Sequence, residues 1–369
     1  MKLVCTADFH IHPWRLESRD GGHDRLMDGL SCLRQSLELA RSVRAAWCFL
    51  GDFKQPKTLW PQEALTGSHA VLRDFPDVEK VLVAGNHDAE GMGGSGLAPF
   101  KDVGRVVEKL EVVDLPGPFA FIAAPWNADP AAVAEANSGV RKLPVFSHGF
   151  LAGCMLGPED VRIAKGTSAG AYGDFPYAVF GDVHRGQWRV PADPAAGRPP
   201  TWCPYPTDLE VGMAVTVRRG PWSGEIFYCG DPYAQNWGER GTPKGCLLVD
   251  SDSGDVEFCR LSSPGYVLLE IDTVAGLEAF LQRRKEYKED FVRVVYTGPG
   301  SAVVGAAERV GDEFRSYQFV YRRAETGTVR GSLVEVHAGL STAEIVAGYA
   351  RARPLPGADP KVVLEAGLR

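Results

Sequence analysis

Apolar residues fall along this chain in short runs that stop abruptly at glycine and polar groups, a texture that predicts alternating strands and helices. Residues 2–7 read as a first strand, which delivers Asp8, Phe9, His10, Ile11 and His12. Leu26, Leu30, Leu33 and Leu37 recur at helical spacing and predict a helix over residues 24–43. Residues 47–50 form a second strand ending in Gly51 and Asp52, and Pro61 opens a second helix over residues 62–74. The third strand, in KVLVAGNHD, is the most informative. Four apolar residues end at Gly85, and Asn86, His87 and Asp88 follow on the loop at its carboxyl end. Open α/β sheets present active-site groups in this way. The glycine-rich stretch 91–96 predicts a flexible loop beside them.

Further on, residues 119–123, 143–146 and 177–180 read as strands. The last two end in Ser147-His148-Gly149 and in Gly181-Asp182-Val183-His184. Proline and glycine crowd residues 198–224, which predicts an irregular surface excursion. Strands resume at 226–229 and 245–249, with a hairpin turn at 252–255. From Pro264 the texture changes to strand 266–271, helix 274–288, strand 291–296, helix 301–310 and strand 317–322. That succession predicts a small second α+β domain. Ser341 to Glu344 fits a capping box for a short helix to Arg351, and Asp359-Pro360 fits the start of one more. The expected division is therefore 1–263, 264–335 and a helical segment 336–369.

Composition narrows the class. A chain of 369 residues is long for one core, and 44% hydrophobic with 24% charged content is that of an ordinary globular protein. No apolar run approaches the roughly 18 residues of a membrane span. The opening MKLVCTADFH reads as a strand, not a signal peptide. The eight cysteines show no CxxC pair, so reduced thiols in a cytoplasmic protein are expected. The net charge of −7 argues against a broadly basic surface. From Pro264 onward 14 Lys/Arg balance 14 Asp/Glu, so the acidic excess lies upstream, where some of it fits metal ligation.

Five strand ends carry the chemistry: Asp8 with His10, Asp52, Asn86 with His87, His148, and Asp182 with His184. In an open parallel-type sheet these ends line one edge. Carboxylates, an amide and imidazoles without thiolate suit a divalent ion such as Mn²⁺, Fe²⁺ or Zn²⁺. A carboxylate shared between two ions is what a two-metal phosphoester hydrolase requires. Each fragment alone is weak, but the recurrence after apolar strands is a strong signal.

The motifs DFH, GDF, GNHD, SHG and GDVH resemble, in order, those of the calcineurin-like metallophosphoesterases, over roughly the first half of the chain. YCGDPYAQNWGE, KGCLLVD and FCRL resemble the end of the nuclease domain in the SbcD and Mre-eleven DNA-repair nucleases, of phage or bacterial type. The resemblance implies an α/β metallophosphoesterase sandwich of mixed β-sheets flanked by helices. A small α+β capping domain and short C-terminal helices, which dock an SMC-like ATPase (SbcC or Rad-fifty type), would follow. It implies one metal on Asp8, His10, Asp52 and His184, and another on Asp52, Asn86, His148 and Asp182. His87 would protonate or stabilise the departing oxygen, and Asp88 would orient His87 by accepting its ring hydrogen bond. The implied activity is phosphodiester hydrolysis of DNA, exo- or endonucleolytic, by a protein commonly dimeric, with two Mn²⁺ or Mg²⁺ ions. Where the family's last motif begins with His this chain has Asp182, and a carboxylate there favours the harder ions.

Other residues carry less. His12 either lines the substrate side or sits on the surface; His23, His69 and His337 read as structural. Arg283, Arg284, Lys285 and Lys288 offer a cluster for DNA phosphates, or a solvated helix face with Glu286 and Glu289 interleaved. Trp202, Trp222 and Trp237 read as core more readily than as base-stacking residues. The rival readings are a phosphoesterase acting on nucleotides, cyclic nucleotides or phosphoproteins, and a scaffold that keeps the fold without the metals. The second domain and terminal helices favour the nuclease over the first, and retention of His87 speaks against the second, whose support is Asp182.

Overall fold

Strands that read as unbroken apolar runs are buried on both faces, and alternation then sends neighbouring side chains into different cores. Leu3 and Cys5 face one core and Val4 the other; Cys48 and Leu50 part in the same way from Trp47 and Phe49, as do Val81 and Val83 from Leu82. The computed structural model describes residues 1–13, 24–55, 57, 59–90, 94–139, 141–157, 161–192, 199–220, 224–302, 316–322 and 334–337. Among these, residues through Ser263 form one compact unit and those from Pro264 a second.

The first unit is a sandwich of two seven-stranded mixed sheets. One runs, in spatial order, Ala214–Arg218, Asp255–Arg260, Gly245–Asp250, Lys2–Thr6, Ala46–Leu50, Lys80–Val83, Arg105–Val107. The other runs Thr201–Pro204, Gln187–Val190, Glu225–Tyr228, Tyr177–Gly181, Val145–His148, Ala120–Ala124, Glu111–Asp114. Residues of both sheets, among them Leu50, Val83, Phe146 and Val179, share the core between them. Helices Asp24–Val43 and Gln62–Arg73 cover the outer face of the first sheet through Leu33, Leu37, Val71 and Leu72. The short helix Pro130–Ala136, capped by Asp129, packs Val133 outside the second.

This is the mixed α/β sandwich with flanking helices that the motifs imply, but it corrects one expectation. The site-bearing strand ends do not line one open sheet. Lys2–Thr6, Ala46–Leu50 and Lys80–Val83 are parallel neighbours in the first sheet, whereas Val145–His148 and Tyr177–Gly181 are parallel neighbours in the second. Stacking the sheets brings both sets of carboxyl ends to one place.

The 198–224 stretch also contains regular structure. Thr201–Pro204 and Ala214–Arg218 are edge strands, one on each sheet. Edge positions, paired on one side only, tolerate the flanking Pro and Gly that made the segment read as irregular.

In the second unit, Tyr266–Ile271, Phe291–Tyr296 and Ser316–Tyr321 are parallel, with Val334–His337 antiparallel at one edge. Helix Val274–Arg283, capped by Thr273, buries Leu277, Phe280 and Leu281 against them. Its expected continuation to Lys288 tightens instead into a 3₁₀ turn, Arg284–Tyr287. The helices expected from residue 341 on, and residues 303–310 of the one expected before them, lie outside the described residues.

Candidate metal centre

The expected ligand positions are first marked by their backbone. Asp8, His10, Asp52 and Asp182 hold φ angles of 56°, 44°, 63° and 85°, joined among described non-glycine residues only by Arg44. Side chains with a Cβ rarely adopt this region, and such strain persists where surroundings over-determine it. Here they do. The Asp8 and His10 amides donate to Gly51 O and Asp52 O, each at 2.9 Å. The Asp182 amide donates to both carboxylate oxygens of Asp8, at 3.1 and 3.0 Å. Gly85 and Gly51 permit the close approach. A Cβ on Gly85 would strike the Asp52 amide and carboxylate, and one on Gly51 would strike His148 Nδ1.

Asp52 lies between two sets of donors. Asp8, His10 and His184 bring ligand atoms within 4.8 Å of one another, and Asp8, Asp52 and His148 do the same. His10 Nε2 stands 3.1 Å from His184 Nε2 and 3.7 Å from Asp52 Oδ2. On the other side, His148 Nε2 lies 3.4 Å from Asp52 Oδ1, 3.7 Å from Asp182 Oδ1 and 3.1 Å from Asn86 Oδ1. Asp182 touches this second set at its rim and belongs to none of the tight three-donor groups.

These residues fit a pair of divalent ions. Donors about 2.0–2.3 Å from one ion lie no more than about 4.6 Å apart, close to the spacing found. The amide end that Asn86 turns inward sits 3.1 and 3.2 Å from the two Asp52 oxygens. A carbonyl oxygen there is repelled unless a cation lies among the three, or unless the amide turns to donate its NH₂.

The electrostatics agree. Burial alone would push Asp52 up, but His148 and His10 overrule it and hold its carboxyl well below the usual range. Burial alone would lower His148 and His184. Asp52 and Asp8 raise the first to about 10, and Glu239, Asp231 and Asp8 raise the second to about 10. Burial pushes Asp8 up to about 7 against the pull of the same two rings. Protonated imidazoles thus supply the positive charge that metal ions would displace.

His87 groups with His10 and Asp52, its amide donating to Asp52 Oδ1 at 2.8 Å. Its ring is not oriented by Asp88, which corrects the expected role of that residue. His87 Nδ1–H donates to Gln55 O at 2.6 Å, leaving Nε2 for the cleft. The buried Asp88 carboxylate is taken up by the amides of Gly85, Asp52 and Phe53 at 2.8–2.9 Å. It ties the third strand end to the second. Burial and neighbouring Asp52 raise its pKa to about 7.

Sequence reasoning missed the supports of the centre. His184 Nδ1–H donates to Glu239 Oε1 at 2.8 Å, with Asp231 Oδ2 at 3.7 Å. Buried Lys244 bridges these carboxylates, pairing with Asp231 and, at 3.1 Å, with Glu239. Their signal was three charged residues within the segment already singled out for its resemblance. Lys54, also buried, donates to His87 O at 2.8 Å. His12 is buried, its Nδ1–H donating to His10 O at 2.5 Å, so it is no surface residue.

Other candidates have partners of their own. His69 pairs with Asp102 at 2.8 Å, and Trp202 is core. In the second unit Arg283 pairs with Glu286 at 2.7 Å and Lys288 with Glu289 at 3.5 Å, while Arg284 donates to Leu281 O. Lys285 is exposed beside them. His23 and Trp222 lie outside the described residues.

No protein-family model and no curated protein matches the chain. Among solved structures it is similar to a metallophosphoesterase from Sphaerobacter thermophilus, at 12% identity and a TM-score of 0.34, over 84% of this chain and 100% of that one.

Proposed function

We propose that this chain is a divalent-metal-dependent phosphodiesterase that cleaves DNA and works with an SMC-like ATPase. The observation that carries the hydrolytic part is the placing of Asp52 between two convergent donor sets, with His87 beside both. DNA as substrate, and the ATPase as partner, are supported by the resemblance of residues 228–261 and by a second unit after Ser263.

Asp8, His10 and His184 would hold one ion and Asn86, His148 and Asp182 the other, with Asp52 shared. Bound there, two such ions supply Lewis-acid stabilisation of a phosphoryl group and a water acidic enough to attack it. Within the divalent ions that such oxygen and nitrogen donors suit, the Asp182 carboxylate favours the harder Mn²⁺ or Mg²⁺. The protein's own part is positional and protic. Glu239 fixes the tautomer and tilt of His184, and Gln55 O fixes those of His87. His87 presents Nε2 to the cleft, where it would protonate or stabilise the departing oxygen.

The test is cleavage of end-labelled duplex DNA with Mn²⁺ by the wild type and by His87→Ala, with metal content recorded. The reading requires cleavage by the wild type and its loss, by about 10²-fold or more, in a variant that keeps its metals. Hydrolysis confined to small phosphodiesters, with and without an added ATPase partner, would overturn the DNA assignment. A chain that takes up no second metal would overturn the hydrolase.

A further inference from the structure

Among the described residues only two Phe or Trp side chains are strongly exposed, Phe150 at 44% and Trp126 at 45%. Isolated exposed aromatics need no explanation. These two, however, wall the same open cleft of about 630 Å³, whose floor is Asn86, His148 and Asp182. Lys57 stands exposed on its rim. Phe150 also walls the adjoining cleft that holds His10, His87 and His184, so it sits between the two sides of the centre.

Neither ring sits on a loose segment. The Trp126 amide donates to Ala84 O at 3.1 Å, at the end of the Lys80–Val83 strand. Phe150 O accepts from Thr167 N at 3.1 Å, and the preceding Gly149 O accepts from Tyr228 Oη at 2.9 Å. Two planar apolar faces are thus held open to solvent, next to donors and a cation suited to a phosphate.

We infer that Trp126 and Phe150 form a base-binding subsite on the Asn86–His148–Asp182 side of the centre. It takes an unpaired nucleobase of a nucleotide flanking the scissile phosphate. The inference rests on the phosphodiesterase reading and narrows its substrate. A ring that stacks on the face of a base needs that base out of the duplex stack, so the strand enters single-stranded or frayed. Because every base has a π-face, such a subsite is tolerant of sequence.

The test compares two probes of equal charge, fluorescein-labelled hexathymidylate and its fully abasic counterpart. Binding to the full-length Mn²⁺-loaded His87→Ala protein is followed by anisotropy. Base–aromatic stacking corresponds to a preference for the base-bearing probe of roughly tenfold or more. In the Trp126→Ala/Phe150→Ala background that preference should collapse toward unity while abasic binding persists, and Trp126→Phe should retain most of it. Equal affinity for the two probes in the parent, or parallel loss of both in the double variant, would overturn the subsite and leave the phosphodiesterase reading standing. Absence of any Mn²⁺-dependent binding would overturn both.

Discussion

Glu239 is the residue on which one half of the centre leans. It accepts the His184 Nδ1–H, the Gln235 amide at 2.6 Å and the Asn236 side chain at 2.9 Å, while pairing with Lys244. Glu239→Ala should weaken Mn²⁺ affinity by about 10–100-fold in a calorimetric titration, the usual cost of losing an outer-shell partner. It should also lower stability to denaturant by about 3 kcal/mol, because Lys244 loses part of its charge compensation. An unchanged affinity would show that His184 is held by something else. The charge balance around His148 and His184 gives a second expectation. In the metal-free protein His148 and His184 lie at about 10, above the ordinary value of about 6.5. Their stabilisation is therefore complete below about pH 6.5 and drains away as pH climbs through the folded-state values. Asp8, raised to about 7, acts in the same sense, since its carboxyl is costly to ionise in the fold. The metal-free Tm should fall between about pH 6.5 and 9, and Mn²⁺-loaded protein, whose rings are neutral ligands, should lack that fall. A metal-free Tm that is flat or rising over this range would contradict the charge balance. The proposed ligands were legible because each follows an apolar run. Glu239 was not, since its contact with His184 spans 55 residues of sequence. Nor was Gln55, which acts through a backbone carbonyl that every residue possesses.

The elements that matter are the strand ends, and their glycines are what lets them meet. Gly85→Ala places a Cβ against the Asp52 amide and carboxylate, which cannot retreat without breaking the bonds that hold them, the amide's to Asp88 and the carboxylate's from the His87 amide. It should cost about 1–3 kcal/mol in chemical denaturation, as overpacking does, and should lower Mn²⁺ occupancy in the same preparation. Wild-type stability and occupancy would mean the three ends are less tightly laced than described. Amphipathic spacing placed Asp24–Val43 and the helix beginning at Gln62 because each buries one stripe on a sheet. The sequence misled where edge strands sit among breakers. AVTVR in Ala214–Arg218 carries β-branched residues, yet Gly212 and Gly220 flank it. Propensity counts weigh such breakers as though the strand had to pair on both sides.

At the scale of the molecule, which strand ends converge was readable but the means of convergence was not. A list of apolar runs cannot say whether they share one sheet, because sheet membership depends on pairings distant in sequence, such as Lys2–Thr6 with Gly245–Asp250. All seven proposed ligand positions fall within the unit ending at Ser263. A chain stopping there should bind two Mn²⁺ ions as the full chain does, and loss of either in a titration would assign the second unit a part in the centre. The most direct test of that centre is electron paramagnetic resonance of the Mn²⁺-loaded protein beside Asp52→Asn. A carboxylate shared by two ions about 3.5–4 Å apart should give a spin-coupled two-Mn²⁺ spectrum, lost in the variant. A six-line signal from isolated Mn²⁺, the same in both proteins, would contradict the shared role of Asp52 and with it the two-metal account.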